Sequence, residues 1–270
     1  MCYKSFLVQA DTSSASDVRL AIAADWARRF GGRVIGVGAQ AVYPLINYGY
    51  GVVDGEIVRE LRAQAEQNLR QAENRFRDIV QGLPSVWRTA MDTPSRVMVE
   101  QARCADLVIT SQPRPHFDAS GSARIGDLIM DTGLPVLVAP PEHPGVADRR
   151  ILICWKNTLQ ARSAISAALP LLRQAEEVLI AAVREDEVQG GHELQDVADR
   201  LKLHGVNVAI ETQERRLHSV AQDLLAAAKR YRADLIVLGA YAHSRATEWV
   251  FGGVTNEMLH LADRPVLLAR

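Results

Sequence analysis

Cysteine is scarce: Cys2, Cys104 and Cys154 are the only three in 270 residues. An odd number, widely spaced, excludes a disulfide framework and paired zinc ligands and points to the reducing cytoplasm. An excess of one charge is also missing, since 31 basic residues face 32 acidic ones and the formal net charge is -1. With no long-range field to gather polyanions, a general nucleic-acid or membrane-surface binder is excluded. No apolar run approaches the roughly 18 to 20 residues of a membrane span, and Lys4 and Asp11 interrupt the place of a signal-peptide core. There is no G-x-x-x-x-G-K-[ST] loop, so a P-loop ATPase is out. What remains is ordinary globular composition, 48% hydrophobic and 23% charged, with length enough for two domains.

What is present is a repeat. Ala105-Asp106-Leu107-Val108-Ile109 returns 128 residues later as Ala233-Asp234-Leu235-Ile236-Val237. Pro135-Val136-Leu137-Val138-Ala139 returns as Pro265-Val266-Leu267-Leu268-Ala269, and Phe6-Leu7-Val8 before Asp11 as Ile151-Leu152-Ile153 before Lys156. Order is kept while loop length drifts, which is the mark of duplication. The proline-rich stretch from Pro140 to Gly145 separates the halves, giving domains 1–141 and 148–270.

Within each half, short apolar runs alternate with helical periods. Strands are expected at 5–9, 33–38, 85–91, 105–110 and 135–139, then at 150–155, 177–183, 206–212, 233–238 and 265–269. Between them Val18, Ile22, Trp26 and Phe30 fall at steps of four. Val58, Leu61, Ala65, Leu69, Ala72, Phe76 and Ile79 hold a 3.6 period, and Val220, Leu224, Ala227 and Tyr231 follow Ser219 as N-cap. Such alternation implies an α/β fold, two tandem five-stranded parallel sheets, and the Rossmann-like order 3-2-1-4-5 is the arrangement taken for each. Ligands on such sheets sit at the carboxyl ends of the strands, here between the first and fourth, where helix N-termini favour anions. That singles out Asp11 with residues 111–126, and Lys156 with residues 239–255.

Other motifs are weaker. Gly36-x-Gly38-x-x-Ala41 has the outline of a dinucleotide fingerprint, but it follows the second strand and runs into Val42-Tyr43-Pro44-Leu45 instead of opening a helix. Gly121-Ser122-Ala123-Arg124-Ile125-Gly126 lacks the G-x-S-x-G spacing of a nucleophile elbow. His192-Glu193 and His204 read as exposed polar residues and not as metal ligands, and no metal is expected. Cys104 and Cys154 read as small core residues. Tyr43, Tyr48 and Tyr50 with Gly49, Gly51 and Gly55 form an aromatic, glycine-rich excursion without an assignable role.

Gly239-Ala240-Tyr241-Ala242-His243-Ser244-Arg245, followed by Trp249-Val250-Phe251-Gly252-Gly253-Val254-Thr255, resembles the fourth-strand loop of the universal stress protein family. Ile151-Leu152-Ile153-Cys154-Trp155 and Arg264-Pro265-Val266-Leu267-Leu268 are similar to its first and last strands. With the repeat, the resemblance is to tandem members of that family, and it implies a stress-response binding or signalling protein, not an enzyme. It further implies an internal pseudo-dimer in which 136–139 and 266–269 pair antiparallel; a homodimer of the whole chain stays open.

ATP-binding members carry G-x2-G-x9-G-[ST] and an Asp after the first strand that holds the nucleoside. The resemblance therefore places adenine-nucleotide contacts at Lys156, Gly239, Ala240, Ala242, His243, Gly252, Gly253, Val254 and Thr255, with Asp11 as the counterpart in the first half. Ala242 stands in place of a glycine, Gly253 in place of the hydroxyl residue and Lys156 in place of the Asp. Together these changes weaken an ATP site by roughly 3 to 4 kcal/mol, about a hundred- to a thousandfold, with Thr255 as a partial substitute for the hydroxyl. In the first half Asp11 is kept, but Ser111-Gln112-Pro113-Arg114-Pro115-His116 has no glycine and Asp127 follows Gly126, so that half is expected to be empty. Three readings stay open: a weak ATP binder, an interaction scaffold of the same fold, and a nucleotide-cleaving or nucleotidyl-transfer enzyme resting on Lys156 and His243.

Overall fold

A computed structural model describes residues 2–42, 55–112, 122–142, 149–184, 192–240 and 253–270. The chain packs as two compact units, Tyr3–Thr132 and Gly133–Arg270. The first contains β1 (Ser5–Gln9), α1 (Ser14–Phe30), β2 (Arg33–Ala39), α2 (Gly55–Ile79), β3 (Ser85–Ala90), α3 (Pro94–Gln101), β4 (Leu107–Ser111) and α4 (Ile125–Thr132). Its strands lie in the order β3-β2-β1-β4, all parallel.

The second unit begins with β5 (Val136–Ala139) and continues through β6 (Arg150–Cys154), α5 (Leu159–Leu172), β7 (Glu177–Arg184) and α6 (His192–Leu203). It ends with β8 (Val208–Glu214), α7 (Val220–Tyr231), β9 (Leu235–Gly239), α8 (Gly253–Leu261) and β10 (Val266–Ala269). Here the order 3-2-1-4-5 is complete as β8-β7-β6-β9-β10, all parallel. On the far side of β10, β5 runs antiparallel with Leu137 opposite Leu267. Both strands are buried, and their pairing removes the apolar edge that each would otherwise leave toward the other.

The repeat is visible in the registers. Leu7 faces Val108 in one unit as Leu152 faces Ile236 in the other. It is visible again in the aspartates of the repeated Ala-Asp-Leu motif. Asp106 Oδ2 accepts the N–H groups of Lys4 at 2.7 Å and Ser5 at 2.9 Å, and Asp234 Oδ2 those of Arg149 at 3.1 Å and Arg150 at 3.0 Å. Each carboxylate closes the start of the first strand onto the start of the fourth. Because this aspartate is a clamp, the fourth strands begin at Leu107 and Leu235, two residues later than the apolar run suggests. Similarly β8 starts at Val208 and not at 206, since the Val206 N–H bonds to the Leu201 carbonyl and completes the end of α6.

β1, flanked by parallel strands on both sides, is buried throughout, as a parallel strand covered on both faces must be. On α1 the buried stripe is Ala15, Arg19, Ile22, Ala23, Trp26 and Phe30, with Val18 only half-buried. On α2 it starts at Ala65 and continues through Ala72 and Phe76; Leu61, expected in the core, is exposed. Gly36 and Gly38 serve packing: a methyl group on either would stand 2.6 Å from the rings of Phe76 or Trp87, which lie against each other over β2. The fingerprint outline is thus a seat for two aromatic rings.

Candidate functional site

The crevice of the first unit is occupied by its own side chains. Arg19 reaches from α1 to the carboxyl ends of β1 and β4, although it is only 2% exposed. Its Nη2 donates to Asp11 Oδ2 at 2.6 Å, its Nε to the Gln9 carbonyl at 2.8 Å and its Nη1 to Ser111 Oγ. The second oxygen of Asp11 accepts the Ser13 N–H at 2.8 Å. Gln9 Oε1 in turn accepts from Thr110 Oγ1 and from the Ala123 N–H, both at 3.1 Å. Burial alone would push the Asp11 carboxyl up; the Arg19 guanidinium and the Ser13 donors outweigh it and hold the carboxyl below its usual range. The Asp11 carboxylate is thereby engaged on both oxygens. Asp127 lies in the first turn of α4 with its carboxylate 3.7 Å from Arg124 Nε.

Sequence reasoning missed Arg19. The available signal was an arginine four residues from both Ala15 and Ala23, inside what proves to be the buried stripe of α1. A buried arginine needs fixed acceptors, and here a carboxylate, a hydroxyl and a carbonyl supply them.

In the second unit Lys156 follows β6 and is exposed, with its carbonyl accepting the Thr158 N–H at 2.7 Å. Thr158 caps α5 by accepting the Ala161 N–H at 3.2 Å. Gly239 ends β9, and its place is set by α5: an added methyl group would stand 2.5 Å from the Ala161 nitrogen. The need for glycine here is a close helix contact. Ala240 is 0% exposed and its N–H bonds to the Ala269 carbonyl at 2.9 Å, so this amide continues the sheet and is not presented to a ligand. Gly253 is exposed at the start of α8 with open space where a side chain would project, Val254 is half-buried and Thr255 is buried. Ala242, His243 and Gly252 lie outside the described residues, as do Tyr43, Tyr48, Tyr50 and Gly121.

Cys154 is buried and burial pushes its thiol up, while Cys104 Sγ donates to the Gln101 carbonyl. His192 and His204 are exposed at the two ends of α6. Among the described residues no group of His, Cys, Asp and Glu is arranged to hold a metal, and no helix is long and apolar enough to cross a membrane.

Comparison with known proteins matches residues 149–270 to the model of the universal stress protein family. No curated protein matches the chain. Among solved structures, a universal stress protein from Archaeoglobus fulgidus DSM 4304 superposes with a TM-score of 0.73 at 18% identity, covering 98% of this chain and 96% of that one. A functionally unknown protein from Pseudomonas aeruginosa PAO1 superposes with a TM-score of 0.61 at 14% identity, covering 99% and 92%. At these identities the structural likeness speaks for the fold, and it extends over both units. Residues 149–270 thus match the universal stress protein family, and over both units the chain has the Rossmann-like fold of the solved universal stress protein structure in two domains.

Proposed function

We propose that the chain is a stress-response binding or signalling protein that takes one adenine nucleotide, weakly, in the crevice of the Gly133–Arg270 unit. The observation that carries this asymmetry is the occupation of the other crevice by Arg19, which engages Asp11 and Ser111. In the second unit the alanine at 164 takes the place of that arginine, and Gly253 at the first turn of α8 faces open space. The family match of residues 149–270 supports the ligand class. The committed Ala240 amide and the substitutions at 156, 242 and 253 support weak affinity. The nucleotide is bound and not turned over. The cytoplasm suits the thiols of Cys104 and Cys154.

Titrating ATP with and without magnesium tests this. Bound nucleotide raises the melting temperature by mass action, with a calorimetric stoichiometry of one per chain and no phosphate release. A stoichiometry of two, or density beside Asp11, overturns the asymmetry, and phosphate release overturns binding without turnover. Complete absence of binding favours the scaffold reading, to which the self-filled first crevice already lends itself.

A further inference from the structure

Each unit leaves one strand with a neighbour on a single side: among the described residues β3 pairs only with β2, and β8 only with β7. An open edge templates pairing with another chain unless charge, proline or a bulge blunts it. The registers show which main-chain groups point outward. The Val34 N–H bonds to the Pro84 carbonyl and the Gln40 N–H to the Ala90 carbonyl, so Val86, Arg88 and Ala90 turn their main-chain groups to β2 while those of Ser85, Trp87 and Thr89 face out. On β8 the bond from the Val178 N–H to the Asn207 carbonyl turns the main chain of Val208, Ile210, Thr212 and Glu214 outward.

Antiparallel pairing of each edge with its own copy distinguishes the two. For β3 the outward groups match best about Trp87: Ser85 faces Thr89 of the other copy, Trp87 faces Trp87, and each facing pair exchanges both its hydrogen bonds. Val86 then lies opposite Arg88, so no like charges meet. Val86 is also 38% exposed, an apolar side chain that its own unit leaves uncovered. For β8 the matching centre is Glu211, which sets two carboxylates opposite each other in the close, non-hydrogen-bonded pair. The edge of β8 is blunted by its own charge; that of β3 is not.

A second observation lies on α2, whose Phe76 ring packs on Trp87 with the centroids 5.3 Å apart. Arg75 points from α2 toward α1, where Asp17 Oδ2 lies 2.5 Å from its Nη2. Glu66, Glu73 and Arg77 stand about 180 to 200° around the helix from Arg75, on the flank turned away from α1 and beyond β3. A twofold axis through the Trp87 pair lays the two copies of α2 antiparallel on one face of the enlarged sheet. Because Phe76 marks the level of Trp87, Glu73 of each copy comes opposite Arg77 of the other. The charge on this flank is self-complementary.

We propose that β3 of the Tyr3–Thr132 unit is a docking edge for a second copy of this chain, joined antiparallel about Trp87 with α2 beside α2. A six-residue strand with one helix flank falls at the low end of specific interfaces, about 1,200 Å² or less, so the dimer is weak and concentration-dependent. It forms without nucleotide and does not depend on either crevice.

Sedimentation velocity of the full chain without nucleotide, from about 5 to about 500 µM, is expected to show monomer passing to dimer. Thr89→Pro removes an outward N–H and leaves the bonds to β2 in place; it is expected to weaken the dimer about tenfold or more with little change in the melting temperature of the dilute chain. Thr212→Pro, the same change on the outward main chain of β8, should leave the dimer as it is. Arg77→Glu alters a side chain 66% exposed and sets two acids against each other, weakening the dimer about fivefold, and adding Glu73→Arg restores it. Should Thr89→Pro fail to fold, the Arg77 and Glu73 variants decide alone. A chain that stays monomeric at every concentration overturns the proposal. A dimer that survives Thr89→Pro, or that Thr212→Pro dissociates, overturns the assignment to β3, and a reversed pair that does not recover overturns the placing of α2 beside α2.

Discussion

Arg19 Nη2 lies 2.6 Å from Asp11 Oδ2, with the guanidinium almost wholly buried and the carboxylate 26% exposed. A cation thus fills, from within, the place between the first and fourth strands where this architecture ordinarily receives a ligand.

Removing one partner alone should be costly. Arg19→Met leaves the Asp11 carboxylate in a largely dry place without its cation, and a loss of about 2 to 4 kcal/mol is expected, at the lower end because Asp11 keeps some solvent. Arg19→Met combined with Asp11→Leu should recover most of it, since the double change leaves no buried charge. Urea midpoints of the two single variants and the double variant give the coupling energy.

The same pair sets an acid limit. The Asp11 carboxyl is held below 3.8 in the folded chain, so it binds fewer protons than the unfolded chain does. Its contribution is therefore present above the unfolded value and is lost as pH falls through the folded one. The stability difference between the wild-type chain and Asp11→Asn is expected to be flat from about pH 5 upward and to shrink below pH 4. A difference that grows on acidification would refute the pairing.

The repeated aspartates should be equally important in their two units. Asp106→Ala and Asp234→Ala each strip an acceptor from two backbone N–H groups, and each is expected to lower stability by about 2 to 3 kcal/mol. Asparagine, which keeps an oxygen there, should cost about half as much. Thermal melts of the four single variants measure this.

Two backbone positions should respond in opposite directions. Gly239→Ala drives a methyl group into the backbone of α5 and is expected to destabilise by about 2 to 3 kcal/mol, and to disturb the second crevice with it. Arg232, the C-cap of α7, holds a φ of +55°, the sole non-glycine residue in the left-handed region among those described. Arg232→Gly relieves it and should stabilise by about 0.5 to 1 kcal/mol, raising the melting temperature by about 2 °C. Differential scanning calorimetry of both variants is the check.

Much of the fold could be read directly. The Ala-Asp-Leu repeat and the spacing of the Val, Ile and Leu runs located ten strands and their order, because burial on both faces of a parallel sheet imposes unbroken apolar runs. Boundaries moved where a polar group took over from apolar patterning, as at Asp106, Asp234 and Val206. The stripe on α2 was legible only from Ala65 onward, since a helical period identifies the face of a helix and not how far along its length there is something to pack against.

Asp11 and Lys156 were singled out by their position after the first strand of each half, a matter of local sequence. What the chain alone determined was its duplication, its alternation of strand and helix, and the charge reversal between residues 11 and 156. What only the tertiary structure decided was that Arg19 finds Ser111 across 92 residues, that Gly36 and Gly38 seat aromatic rings, and that the Ala240 amide belongs to the sheet. Apolar burial is written residue by residue as a period. The pairing of buried polar groups depends on donors and acceptors brought together from distant segments, and that exists only once the chain has folded.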